Sequence, residues 1–155
     1  RCLNLMRKIK LGDEEIILDP SHLEFSENTL NDFLQKAPTW YSYYNEKLTH
    51  CQFYSAKAED RYDELLALKF KSYKEQNTKI SDKFAEASAR CDSEVIDALS
   101  RLRLYQNNYR LISGFVKSLD HALKDALNLG KLLKVILYPA VAEKRFIYNK
   151  DFCRL

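Results

Sequence analysis

Lys69-Phe70-Lys71-Ser72-Tyr73-Lys74 interleaves three lysines with two aromatic side chains, and this segment is the best equipped in the chain to do chemistry. Ammonium groups neutralise phosphates and release their counterions, while tyrosine offers a flat face on which an unpaired base stacks. Lys79 and Lys83 follow closely. The candidate nucleic-acid-binding set is therefore Lys69, Lys71, Tyr73, Lys74, Lys79 and Lys83. The competing reading is a solvated, lysine-rich helix end. The same choice applies to Lys144, Arg145 and Lys150 near the C-terminal end.

Nothing in the sequence has the spacing of a catalytic centre. His22, His50 and His121 are scattered and have no ligand partner at helical spacing. There is no glycine-rich phosphate loop, no GxSxG and no HExxH. Acidic pairs such as Glu14-Glu15 and Asp63-Glu64 read as solvated faces. The expectation is a protein that is not an enzyme and uses no cofactor and no metal. Cys2, Cys51, Cys91 and Cys153 lie far apart without a CxxC pair, which argues against a disulfide framework or zinc site and for a reducing cytoplasm. No run of about 18 apolar residues and no signal peptide is visible, so neither membrane insertion nor secretion is expected. The chain starts with Arg1, and Met6 is a candidate native start.

Charge is distributed unevenly behind a formal net value of only +3. Residues 1–66 carry eight basic and twelve acidic side chains. Residues 67–90 carry six and three, and residues 131–155 six and two. Two basic stretches thus sit on an otherwise balanced chain.

The elements that must position these residues are helical. Apolar side chains recur at steps of three and four through Leu30, Leu34, Ala37, Tyr41, Tyr44, Leu48, Cys51, Ser55, Ala58, Tyr62 and Leu65. A second seam runs through Phe84, Ser88, Cys91, Val95, Ala98, Leu102, Tyr105, Tyr109, Ile112, Val116, Leu119, Leu123 and Ala126, continued by Leu133 and Leu137. Three glycines and three prolines in 155 residues suit long helices better than a sheet. The predicted fold is all-α: a long antiparallel helical hairpin or coiled coil over residues 28–139, with an N-terminal arm (1–27) and a C-terminal tail (140–155).

Asp19-Pro20-Ser21 reads as a helix start and Asn28 as the cap of the first long helix. Pro38 predicts a kink or a helix end near Ala37, residues 75–81 a hairpin connection, and Pro139 the end of the second helix. Gly114 and Gly130 weaken that helix locally. A continuous seam and the aromatic cluster Phe33, Trp40, Tyr41, Tyr43, Tyr44, Phe53 and Tyr54 are more apolar surface than a lone hairpin covers. The expectation is a homo-oligomer with Leu34, Tyr41, Tyr44 and Leu48 at the interface, Tyr41 and Tyr44 both buried, and the tail docked on a neighbour.

Several segments resemble the UvsY-type family of phage recombination mediators, known from T-even phages and more divergently from other tailed phages. Ile17-Leu18-Asp19 followed by Leu23 and Glu24 is similar to the family's opening pattern. Pro38, Tyr41 and Tyr44 resemble its Pro-x-x-Tyr-x-x-Trp, with tyrosine in place of tryptophan. Its Lys-Ala-Arg-x-x-Tyr-Tyr segment falls on Ala67 to Tyr73, where Lys69 and Tyr73 match and Ala67 and Ser72 do not. Asp92-Ser93-Glu94-Val95 and Lys117-Ser118-Leu119-Asp120-His121 resemble further stretches of divergent members. The resemblance covers roughly residues 16–137; the spacing between Asp19 and Tyr44 is longer, and the tail has no counterpart.

What the resemblance implies is a non-enzymatic accessory that binds single-stranded DNA as a ring of more than four subunits. Such a mediator displaces single-strand-binding protein and loads a RecA-like recombinase, here in a host cell's cytoplasm. Lys71 and Lys74 would compensate for the missing family cation. The alternative is a structural or adaptor coiled coil, for example in virion assembly, without affinity for nucleic acid.

Overall fold

The structure, a computed structural model, describes the backbone of residues 6–150 and the side chains of residues 6–134. Cys2, Cys153, Leu137 and the tail side chains named above lie outside that range. Strands β1 (Arg7–Leu11) and β2 (Glu14–Leu18) are followed by a 3₁₀ turn (Pro20–Leu23) and helices α1 (Leu30–Gln76), α2 (Asp82–Arg90) and α3 (Ser93–Lys150). The fold is therefore mostly but not wholly α. The two long helices are present and antiparallel. As α1 advances its partners on α3 recede: Leu30 lies by Gly130, Tyr44 against Phe115, Cys51 by Tyr105 and Lys69 by Asp92. At ~1.5 Å per residue, α1 alone extends about 70 Å.

The seams do most of the packing. Leu30, Ala37, Tyr44, Cys51 and Leu65 on α1 are buried against Val95, Ala98, Leu102, Ile112, Val116, Leu119 and Ala126 on α3. The Cys51 thiol donates to the Tyr105 carbonyl at 3.4 Å, and burial pushes its pKa up, which makes it an inert packing group. Four expectations need correction. Tyr41 is 36% exposed in the single chain, because the inner face of α1 steps from Ala37 through Trp40 to Tyr44, and Tyr41 lies about 100° around the helix from Trp40. Helix α1 starts after Thr29 rather than Asn28 and runs unbroken through Pro38. The return between the long helices is not a single loop at 75–81. It holds α2, a separate helix, and a second break at Cys91-Asp92, so Cys91 and Phe84 leave the seam and are exposed. Helix α3 continues past Pro139 to Lys150, since proline removes one intrahelical hydrogen bond without forbidding the turns beyond it.

The arm is a β-hairpin, which the sequence analysis did not anticipate. Its pairs include Ile9↔Ile16 and Lys10↔Glu15. Gly12, with φ +62°, and Asp13 close the turn; a positive φ at the first central residue alone is the type II′ pattern. The turn sits tightly under α1, since a Cβ on Gly12 would lie 3.0 Å from the Tyr54 hydroxyl. A lone two-stranded hairpin is marginal in water. This one is held because Ile9, Leu11, Ile16 and Leu18 all point inward and join the main core, each worth about 1.5–3 kcal/mol when fully buried. Two polar ties set its position. Buried Asn108 on α3 donates through Nδ2 to the Lys10 carbonyl at 3.0 Å, and Lys47 on α1, also buried, pairs with Glu14.

Asp19 caps the 3₁₀ turn by accepting from the Ser21 amide at 2.9 Å. In that turn His22 lies flat on Trp40, with ring centroids 4.1 Å apart, and its Nδ1 is 3.0 Å from the Tyr44 hydroxyl. That hydroxyl donates to the Ile17 carbonyl at 3.1 Å. Its one proton is used there, so it accepts from His22, which places the imidazole proton on Nδ1.

Burial pushes the His22 pKa below its ordinary value, and the Asp19 carboxylate 3.8 Å from Nε2 offsets this in part. The unfolded chain then binds the proton more readily than the folded one. The stability this group contributes is complete above about pH 6.5, its unfolded value, and is lost as pH falls through the lower folded value. Thermal melting should therefore be lower at about pH 5.5 than at about pH 7.5, and His22→Gln should flatten the difference.

Candidate nucleic-acid interface

The basic-aromatic segment forms the last two turns of α1, where the long hairpin closes. Helical geometry divides it between faces. Residues four apart share a face, so Lys69 lies with Tyr73, while Lys71 lies with Lys74 three residues on. These six candidates are not brought together into one patch.

Lys69 points across the hairpin. Its ammonium is 3.1 Å from Asp92 and 3.4 Å from Glu94, at the start of α3. The Asp92 hydrogen bond holds the Lys69 pKa above the ordinary lysine value. Asp92 does double duty, since its Oδ1 also accepts from the Glu94 amide at 3.0 Å and so caps α3. Lys74 is likewise occupied, 2.7 Å from Asp82 and donating to the Ile80 carbonyl at 2.9 Å. Both lysines fasten the return segment onto α1. A phosphate would have to displace carboxylates to reach them.

The other three cations face water. Lys71 is exposed and only loosely paired with Glu75, at 3.8 Å. Lys79 lies in the loop between α1 and α2, its amide bound to the Asn77 side chain at 3.2 Å. Lys83 is in the first turn of α2. Neither ammonium has an ion-pair partner among the described residues. Tyr73 is half-buried, so it offers little of its face for stacking.

The exposed aromatic of this end is Phe84, 62% accessible beside Lys83, which the sequence analysis assigned to the seam. The reason is local. Ser81 caps α2 by accepting from the Phe84 amide, and α2 folds back on α1 through its small residues Ala85 and Ala89, both fully buried. Phe84 precedes Ala85 by one residue, about 100° around the helix, and so turns outward. The alanine pair four residues apart is the signal that marks the inner face of α2.

Of the interface residues named from sequence, Tyr44 is buried inside the single chain, with 1% of its surface accessible. It therefore offers no surface to another copy. Leu48 is half-buried against the core, Tyr41 is exposed, and Leu34 lines an open apolar groove of about 510 Å³ with Leu30, Leu127 and Leu133. Phe33, Trp40, Tyr44 and Tyr54 of the aromatic cluster pack inside, whereas Tyr41, Tyr43 and Phe53 remain on the surface. Among the described residues no helix is long and apolar enough to cross a membrane. The chain matches no protein-family model, no curated protein and no solved structure.

Proposed function

We propose that this chain is a non-enzymatic recombination mediator. It binds single-stranded DNA as a homo-oligomer, with a ring of more than four subunits preferred, and promotes loading of a RecA-like recombinase in place of single-strand-binding protein. The observation that carries this reading is the closed end of the hairpin. Lys71, Lys79 and Lys83 are exposed to water there, and Phe84, next to Lys83 on α2, presents an exposed ring. Cations for phosphates and an aromatic face for a base are the two parts that sequence-tolerant single-strand binding requires. The resemblance of residues 16–137 to UvsY-type mediators supports the same conclusion. In a ring, one modest patch would be repeated in every subunit, and avidity would multiply its weak contacts.

A structural or adaptor coiled coil is the second reading. The capture of Lys69 and Lys74 by carboxylates favours it, because the two cations then serve the fold. Binding of a labelled single-stranded oligonucleotide at low salt, combined with a light-scattering mass, separates the two. The mediator reading expects binding that weakens linearly with log salt, about 0.7 in slope per phosphate contact, by a species larger than a tetramer. Absence of binding at low salt would leave the coiled-coil reading.

A further inference from the structure

Midway along the molecule the two long helices part enough to leave a groove of about 250 Å³. It opens where Ala58 on α1 and Ala98 on α3 are too small to fill the space between the helices. Its rim carries Lys57, Arg61 and Arg101, and Tyr54 and Tyr105 form one wall. Among the described residues no carboxylate lines it. Arg61 donates through one nitrogen to Glu64 at 2.7 Å, which leaves the rest of its five-donor fork unused. Lys57 and Arg101 make no ion pair among the described residues. The tyrosine rings are stacked at 5.6 Å with 23° between their planes and are half-buried, so they hold each other rigid and offer their exposed edges at the cationic rim. Beyond Arg61 and Arg101 an adjoining depression carries Glu94 and Asp97, so the positive stretch is short. It has room for one or two phosphates.

This composition differs from that of the closed end in one respect that decides its use. Of the three cations at this groove only Arg61 has a carboxylate partner among the described residues, so Lys57 and Arg101 lie uncompensated, and an anion relieves the repulsion between them. Two of the three are guanidinium groups, whose planar forks match phosphate oxygens two at a time. A duplex would present only its backbone here. A single strand also offers an unstacked nucleoside to the tyrosine wall.

We propose that this groove is a second anchor for single-stranded nucleic acid, with Lys57, Arg61 and Arg101 on phosphates and Tyr54 and Tyr105 against the adjoining nucleoside. The proposal rests on the single-strand-binding reading above and extends its footprint. Lys57 is about 21 Å along α1 from Lys71 at ~1.5 Å per residue, so the strand would follow the hairpin away from its closed end.

Fluorescence anisotropy with labelled oligo(dT) on the full chain tests the groove. Lys57→Gln combined with Arg101→Gln should lower affinity roughly twentyfold at about 0.1 M salt and reduce the log–log salt slope by ~1.4, two contacts at ~0.7 each. Melting should be unchanged, because both side chains are exposed. Lys57→Arg with Arg101→Lys should retain the slope. If the glutamine pair binds like wild type while wild type itself binds, the groove is not an anchor and the single-strand-binding reading stands. If wild type does not bind oligo(dT) at low salt, both fall. Competition by inorganic phosphate well beyond that of chloride at matched ionic strength, lost in the glutamine pair, would make the groove a free-anion site and overturn the proposal.

Discussion

Tyr44→Ala should destabilise the protein by about 3–5 kcal/mol, as truncation of a fully packed aromatic does. Four elements meet at this one side chain. Its ring packs edge-on to Phe115 of α3 with centroids 4.7 Å apart, and its hydroxyl links the Ile17 carbonyl of β2 to His22 of the 3₁₀ turn. Alanine would leave a cavity between the long helices and remove the hydrogen bonds to the Ile17 carbonyl and to His22. In a domain of this size the melting temperature should fall by roughly 6–20 °C. Tyr44→Phe separates the two contributions: it keeps the ring and removes only the hydrogen bonds, for about 1–3 kcal/mol. Denaturant unfolding measures both. A Tyr44→Ala protein within 1 kcal/mol of wild type would show that the helices close over the gap.

Removing the three solvated cations of the closed end should reduce affinity for single-stranded DNA about a hundredfold at 0.1 M salt. Each phosphate contact adds ~0.7 to the log–log slope, so Lys71→Ala, Lys79→Ala and Lys83→Ala together take away ~2. Folding should be little affected, since Lys79 and Lys83 pair with no carboxylate among the described residues and an exposed pair such as Lys71–Glu75 contributes at most a fraction of a kcal/mol. Lys69→Ala should behave in the opposite way. It breaks the tie to Asp92 and Glu94 across the hairpin, so its effect should appear in unfolding before it appears in binding. Salt-dependent anisotropy on the triple variant and on Lys69→Ala distinguishes a binding lysine from a structural one. An unchanged slope in the triple variant would remove the closed end from the DNA site.

The long helices were legible because burial along them follows one periodicity. From Val95 to Ala126 every seam position on α3 is buried or half-buried. The same logic failed where a position depends on something other than period. Tyr41 and Tyr44 look alike in sequence, yet only the second lies under Phe115 and the β-hairpin. Phe84 fits the seam numerically, but α2 is a separate helix whose inner face is set by two alanines. Gly12-Asp13 after the alternating Lys8-Ile9-Lys10-Leu11 is a two-residue turn signal for a hairpin, but the second strand, Glu14-Glu15-Ile16-Ile17-Leu18, does not alternate, which weakens that signal. The fate of Lys69 was not legible at all. Which carboxylate meets it depends on the register of two helices joined through a third. The groove cation Arg101 is likewise forty residues or more from Lys57 and Arg61, and only the antiparallel pairing brings it to their rim.

The bond from Asn108 to the Lys10 carbonyl joins positions nearly a hundred residues apart, and this has a consequence for how the chain acquires its shape. The β-hairpin leaves the ribosome well before its seat on α3 is made. Until residues near 108–119 emerge and α3 doubles back along α1, the inner isoleucines and leucines of the arm have nowhere complete to go. Contacts this distant in sequence form late and slowly, because the loop-closure entropy precedes any reward. The arm therefore acts as a latch that locks only after both long helices are in place. A nascent chain halted before that point would hold Ile9, Leu11, Ile16 and Leu18 open to water.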